Sequence, residues 1–250
     1  MLVDAHAHLH MYDAREIDEV VAELEADHIR VIAVSMDPET FVATRDVAAR
    51  SDRIIPAFGI HPELAPAHVG GLSTMADLAQ AAACIGEIGL DHRFVTDTSA
   101  YPSQETVFDH LLAVAADQGK VVNLHTAGAE HQVANRLAHF GITQAIVHWY
   151  SGPGDAFDRL LDLGCHFTFG PEVGRSAHIA ELAARTPADR LLTETDSPGG
   201  PEWLGMGRGR PSLVRSVVSD LARIRGTSQD EITSSVAANL DRLLPSSAAG

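Results

Sequence analysis

The opening decapeptide MLVDAHAHLH sets imidazoles at positions 6, 8 and 10 in an otherwise apolar run. Residues two apart on a strand share a face, so His6 and His8 would offer two nitrogens to one ion. Further groups suited to metal chemistry stand behind short Val- and Ile-rich runs. These are His61 in GIHP, Glu87 and Asp91 in GEIGLD, His125 in NLH, His148 in HWY, and Glu194 and Asp196 in TETDSP. A lone histidine at a strand end is usually packed or solvated; the ordered set is what points to a metal site. Imidazole and carboxylate together suit zinc, manganese or iron. His10, His28, His68, His92, His110, His131, His139, His166 and His178 fall mostly on helical segments, in loops or off phase, and are read as ordinary side chains. Cys84 and Cys165 are read as small core residues.

The elements that must position these groups come from the alternation of apolar runs and helical periods. Strands are expected at 2–8, 30–35, 54–60, 83–88, 121–125, 144–148, 165–169 and 190–195. Between the first two, Ile17, Val20, Val21 and Leu24 recur at helical spacing. Helices are expected also at 104–119, closing on Gly119, and at 129–140, 155–164, 177–185 and 211–226. A last helix at 228–244 opens with the capping-box pattern Ser228 to Glu231. The stretch 61–82, with two prolines and paired glycines, is the weakest helix.

Eight such units predict a TIM-type (β/α)8 barrel of the metallo-dependent hydrolase kind. A doubly wound open sheet is the alternative, weakened by the lack of a G-x-G-x-x-G after any strand. In a barrel, the C-terminal strand ends form the active rim, and six of the eight expected strands deliver a candidate group there. One barrel domain over 1–245 is expected, followed by a small-residue tail at 246–250.

Of the 250 residues, 45% are hydrophobic, enough for a sizeable core, and no apolar run is long enough to span a membrane. No basic-then-apolar leader opens the chain, and two distant cysteines exclude a disulfide framework, so a cytoplasmic location is expected. The net charge of −16 argues against broad binding along a polyanion, but bound cations would dominate a local site. Six ligands exceed what one tetrahedral ion uses, so two divalent ions bridged by a carboxylate are expected, roughly 3.5–4 Å apart. Glu87 is the bridge candidate. A carbamylated lysine bridge is excluded, because the one lysine, Lys120, opens the fifth strand.

Taken in order, DAHAHLH, FGIHPE, GEIGLD, NLH, HWYSG and LLTETDSP resemble the TatD family of metal-dependent hydrolases, part of the amidohydrolase superfamily. The resemblance extends over nearly the whole chain, through Asn239 in AANLDRLL. It implies that His6, His8, Glu87 and Asp196 hold one ion, and that Glu87, His125 and His148 hold the other. The ions would be zinc, manganese or magnesium, and the activity that of a DNase, in some members a 3′-exonuclease. His61 would lie on the substrate side. Some similar proteins sit in bacterial anti-phage cassettes of the Qat type, which implies protein partners. Three departures bear on substrate. Trp149-Tyr150 stands where many relatives have Cys-Phe, Ala127 stands where an arginine often follows strand 5, and GRGRPS supplies Arg208 and Arg210 without an asparagine.

The mechanism expected is hydroxide attack, with Asp196 as general base and then general acid, and Arg208 or Arg210 clamping a phosphate, with Arg93 behind them. The substrate would be a DNA end or a small phosphodiester. An amide, ester or lactone hydrolase using the same ligands is the alternative; a third reading, an idle scaffold acting through partners, is opposed by the intact ligand set.

Overall fold

The structure, a computed structural model, describes residues 1–244; the expected tail at 246–250 lies outside the described residues. Parallel strands β1 (Leu2–Ala7), β2 (Ile29–Val34), β3 (Ile54–Phe58), β4 (Cys84–Gly89), β5 (Val122–His125), β6 (Ala145–Val147), β7 (His166–Phe169) and β8 (Leu191–Thr193) pair in strict sequence order. The helices between them are α1 (Ala14–Ala26), α2 (Pro38–Ala48), α3 (Tyr101–Gln118), α4 (Glu130–Phe140), α5 (Gly154–Asp162) and α6 (Ala177–Arg185). Two more, α7 (Val214–Arg225) and α8 (Gln229–Leu243), follow β8. A doubly wound sheet would reverse its strand order at a switch point; this sheet does not. It is a TIM-type barrel.

Bonds from the segment after β8 bring the two ends of the sheet together. Asp196 N donates to His6 O at 2.9 Å and His8 N to Ser197 O at 2.8 Å. Lower on the seam, Thr193 Oγ1 donates to Val3 O, and Thr195 Oγ1 to the buried Asp4 carboxylate at 2.6 Å. These last contacts explain why β8 ends at Thr193, short of the expected 195: the chain turns inward to cap Asp4 and His6.

Strands buried on both faces read as apolar runs, and every residue of β2, IRVIAV, is buried. In β1, Val3 and Ala5 join the core between sheet and helices, while Asp4 and His6 alternate with them on the other face. Helix α1 starts at an Asp13 capping box and buries Ile17, Val20 and Leu24. Helix α3 ends where Gly119 takes φ +62°, and α8 starts at the Ser228–Glu231 capping box. The region 61–82 forms four short helical pieces in place of one helix, as its prolines and glycines require. Helix α2, capped by Asp37 and Thr40, adds to the elements read from the sequence. Between sheet and helices, Phe157 and Phe167 pack at 4.3 Å between ring centroids; burying each side chain contributes about 1.5–3 kcal/mol. Among the described residues, no helix is long and apolar enough to cross a membrane.

Candidate metal centre

Six strands bring the predicted groups to one mouth. His6 lies on β1 with His8 just past it, Glu87 is on β4, and His125 closes β5. His148 follows β6 directly, its amide donating to Leu124 O at 3.1 Å. Asp196 lies beyond β8 in the left-handed region, φ +51°. His61, after β3, is held by a bond from its amide to Met36 O at 2.8 Å.

Glu87 is the centre of this set, and its two oxygens face different partners. Oε2 lies 3.3 Å from His8 Nε2 and 3.6 Å from His6 Nε2. Oε1 lies 2.9 Å from His148 Nε2, 3.0 Å from His125 Nδ1 and 3.7 Å from His61 Nε2. Asp196 Oδ1 completes the first group, 3.4 Å from His8 Nε2 and 3.7 Å from His6 Nε2. The compact groups of ligand atoms are His6–His8–Glu87, His61–Glu87–His125 and His6–His148–Glu194. His61 thus stands beside Glu87 and His125 in one of these groups.

The donors fit a divalent cation. His6 Nε2 is buried without a hydrogen-bond partner, although imidazole nitrogens rarely go unsatisfied in an interior. Three of these histidines have their far nitrogens near polar partners, the pattern that orients imidazole toward a metal. His6 Nδ1 bonds Asn123 Oδ1 at 2.9 Å, and Asn123 in turn donates to Ala5 O. His125 Nε2 bonds Asp91 Oδ2 at 3.0 Å. His148 Nδ1 faces the buried Glu194 carboxylate at 3.7 Å. Asn123 was not visible as a functional residue in the sequence: it sits inside an apolar strand, where period-two placement on the His125 strand is its one signal. Asp91 and Glu194 were legible as strand-end acids, but not as orienting groups.

Electrostatics follow from this crowding. Burial opposes a charge on Glu87, yet His61, His148 and His6 hold its carboxyl well below the usual range. Burial likewise opposes a charge on His148, but Glu87 and Glu194 raise it well above the ordinary imidazole value. Burial pushes His61 down to about 3, and Asp196 is raised, again by burial. Asp91 is held at about 2: burial opposes its charge, but the His125 bond and the Phe94 and Arg93 amides overcome it. Replacing this orienting group should be costly. Asp91→Asn is expected to weaken metal binding about 10- to 100-fold, measured by competition with a chromogenic chelator; wild-type affinity would contradict the role.

Arg208 and Arg210 are corrections to the sequence reading. Arg208 Nε donates to Glu16 Oε1 at 2.6 Å, its Nη2 to Met11 O, and its guanidinium covers the Tyr12 ring. Arg210 pairs with Glu19 and lies 4.0 Å from Glu23. Neither lines the cavity over the candidate metal centre; carboxylates of α1 hold both. The arginine that does line it is Arg93. That cavity, about 350 Å3, has His125, His148 and Asp196 among its walls, with Phe94, Trp149 and Trp203.

Residues 3–245 match the family model described as TatD related DNase. The chain belongs to this family. It is 29% identical over 254 residues to YcfH, an uncharacterized metal-dependent hydrolase of Escherichia coli strain K12, covering 97% of this chain and 95% of the relative. It is 31% identical over 195 residues to the 3′-5′ ssDNA/RNA exonuclease TatD of Pantoea vagans, covering 72% and 74%. The fold superposes on the crystal structure of YjjV, a TatD homologue from Escherichia coli, with a TM-score of 0.87 at 22% identity, covering 97% of each chain. As a TatD-family member the chain is a metal-dependent hydrolase, and its His/Glu cluster is the candidate metal site.

Proposed function

We propose that this TatD-family hydrolase cleaves phosphodiester bonds at single-stranded DNA ends, with the 3′ end as its point of attack. Two divalent ions, zinc, manganese or magnesium, would be shared through Glu87. His6, His8 and Asp196 complete one set and His125 and His148 the other. The observation that carries this reading is the splitting of Glu87, whose Oε2 faces His6 and His8 while Oε1 faces His125 and His148. When bound, such ions make water acidic enough to ionise near neutral pH and stabilise charge on phosphoryl oxygens.

The protein's own groups divide the remaining work. Glu87 is 2% exposed and is not among the residues that line the cavity. Asp196 is 23% exposed and lines the cavity, so it can touch an attacking water. Its carboxyl, raised by burial, takes the water proton and returns it to the leaving oxygen as the P–O bond breaks. His61 Nε2 lies 3.7 Å from Glu87 Oε1, on the side that faces His125 and His148. The name of the Pantoea vagans relative supports the strand-end reading, and the net charge of −16 fits a short end better than a long duplex.

Metal analysis followed by a substrate panel tests this. A chelator should abolish turnover, and added zinc, manganese or magnesium should restore it. Bis-p-nitrophenyl phosphate should be cleaved and labelled single strands shortened from the 3′ end, while lactones stay intact. Turnover of lactones alone would replace this reading with that of a small-ester hydrolase.

A further inference from the structure

Among the described residues, two aromatic side chains rank as exposed large hydrophobics, Phe94 at 61% and Trp203 at 66%. Both line the cavity that opens onto His125, His148 and Asp196. Trp149, the other tryptophan, lines it too. Its indole N–H is fixed on Glu172 at 2.8 Å, and its ring meets Trp203 edge-to-face at 6.4 Å. Large apolar rings left in water beside a polar metal centre are a surface suited to a flat apolar partner.

Arg93 supplies the complementary charge. Its Nη1 donates to Ser151 Oγ at 3.0 Å, and among the described residues no carboxylate pairs with it. Arg208 and Arg210, by contrast, are neutralised by glutamates. The Arg93 loop also lies against Ala127 and Gly128, two and three residues beyond β5. His92 N donates to Ala127 O at 2.8 Å, and a Cβ on Gly128 would stand 3.1 Å from Arg93 N. Arg93, on the loop after β4, therefore shares the cavity wall with Ala127.

We propose that Arg93, Phe94 and Trp203 form a subsite for one unpaired nucleotide, the phosphate on Arg93 and the base against the two exposed rings. This rests on the phosphodiesterase reading and names what the cavity recognises. Every nucleobase has a π face, so such a site tolerates sequence, but the base must be unstacked to enter. Affinity drawn from stacking also suits a strongly acidic protein: with one guanidinium on phosphate, binding depends only weakly on salt.

The test compares thymidine 5′-monophosphate with deoxyribose 5-phosphate, which has the same sugar and phosphate and no base. Each is titrated calorimetrically into the metal-loaded, full-length protein. The base-bearing compound should bind about 10-fold tighter or better. Phe94→Ala and Trp203→Ala should each erode that preference and leave deoxyribose 5-phosphate binding unchanged, while Trp203→Phe should keep most of it. Arg93→Ala should weaken both compounds alike. Equal wild-type affinity for the two, or a Phe94→Ala protein that keeps the full preference, overturns the subsite. A wild-type protein that prefers the nucleotide but shortens no oligonucleotide would sink the phosphodiesterase reading and leave the subsite standing.

Discussion

Glu87→Gln is expected to abolish metal-dependent hydrolysis while leaving the barrel folded. The amide keeps the shape of the side chain, so no cavity opens beneath the rim, but it lacks the second anionic oxygen. Removing one donor that stabilises developing charge typically lowers kcat by about 10²–10³. Glu87 faces both ligand groups, so its loss should exceed that range. Glu87→Ala and His148→Ala should act in the same direction. In each variant, turnover is measured with bis-p-nitrophenyl phosphate, metal content by elemental analysis and the fold by circular dichroism. A folded Glu87→Gln protein that turns over like wild type would refute the shared-carboxylate assignment.

Gly59→Ala, a change outside the ligand set, should have the next largest effect. Gly59 directly follows β3, and a Cβ built there falls 2.2 Å from Glu87 O, 2.5 Å from Glu87 N and 2.5 Å from Gly86 C. All three are backbone atoms of β4, so no rotamer change relieves the overlap. Either β3 and β4 separate or Glu87 moves. Overpacking usually costs about 1–3 kcal/mol, and a backbone clash belongs at the upper end. For a chain of this length that is a fall in Tm of about 10 °C, and metal binding should weaken with it as Glu87 shifts. Gly70→Ala is the control, since nothing lies within 4 Å of its added Cβ; its Tm should stay within about 2 °C of wild type. Calorimetric melting of both variants checks this. Equal Tm values would show that the strand gap at Gly59 can open freely.

The eight strands and most of the helices were legible in the sequence. Barrel strands buried on both faces are runs such as IRVIAV, and helix ends carry local marks such as Ser228–Glu231 and Gly119. The helix at 38–48 was missed in a reading that followed apolar periodicity, since it buries just Phe41 and Thr44. The residues of the candidate site were legible for a different reason. Each stands at or just past a strand end, and in a parallel barrel those ends share one rim whatever the packing elsewhere.

The tertiary structure alone decided which charged groups remain available above that rim. Arg208 and Arg210 are close in sequence to the strand-8 loop, yet Glu16 and Glu19 of α1, across separations of 192 and 191 residues, hold them away from the cavity. Arg93 lines the cavity, and among the described residues no carboxylate pairs with it. The orienting partners belong to the same class: Asn123 reaches His6 across 117 residues, and Asp91 reaches His125 across 34. Local spacing sets which face and which end of a strand a side chain occupies. Pairing between charges and hydrogen-bonding groups depends on distances through space, and those exist only once the barrel has closed.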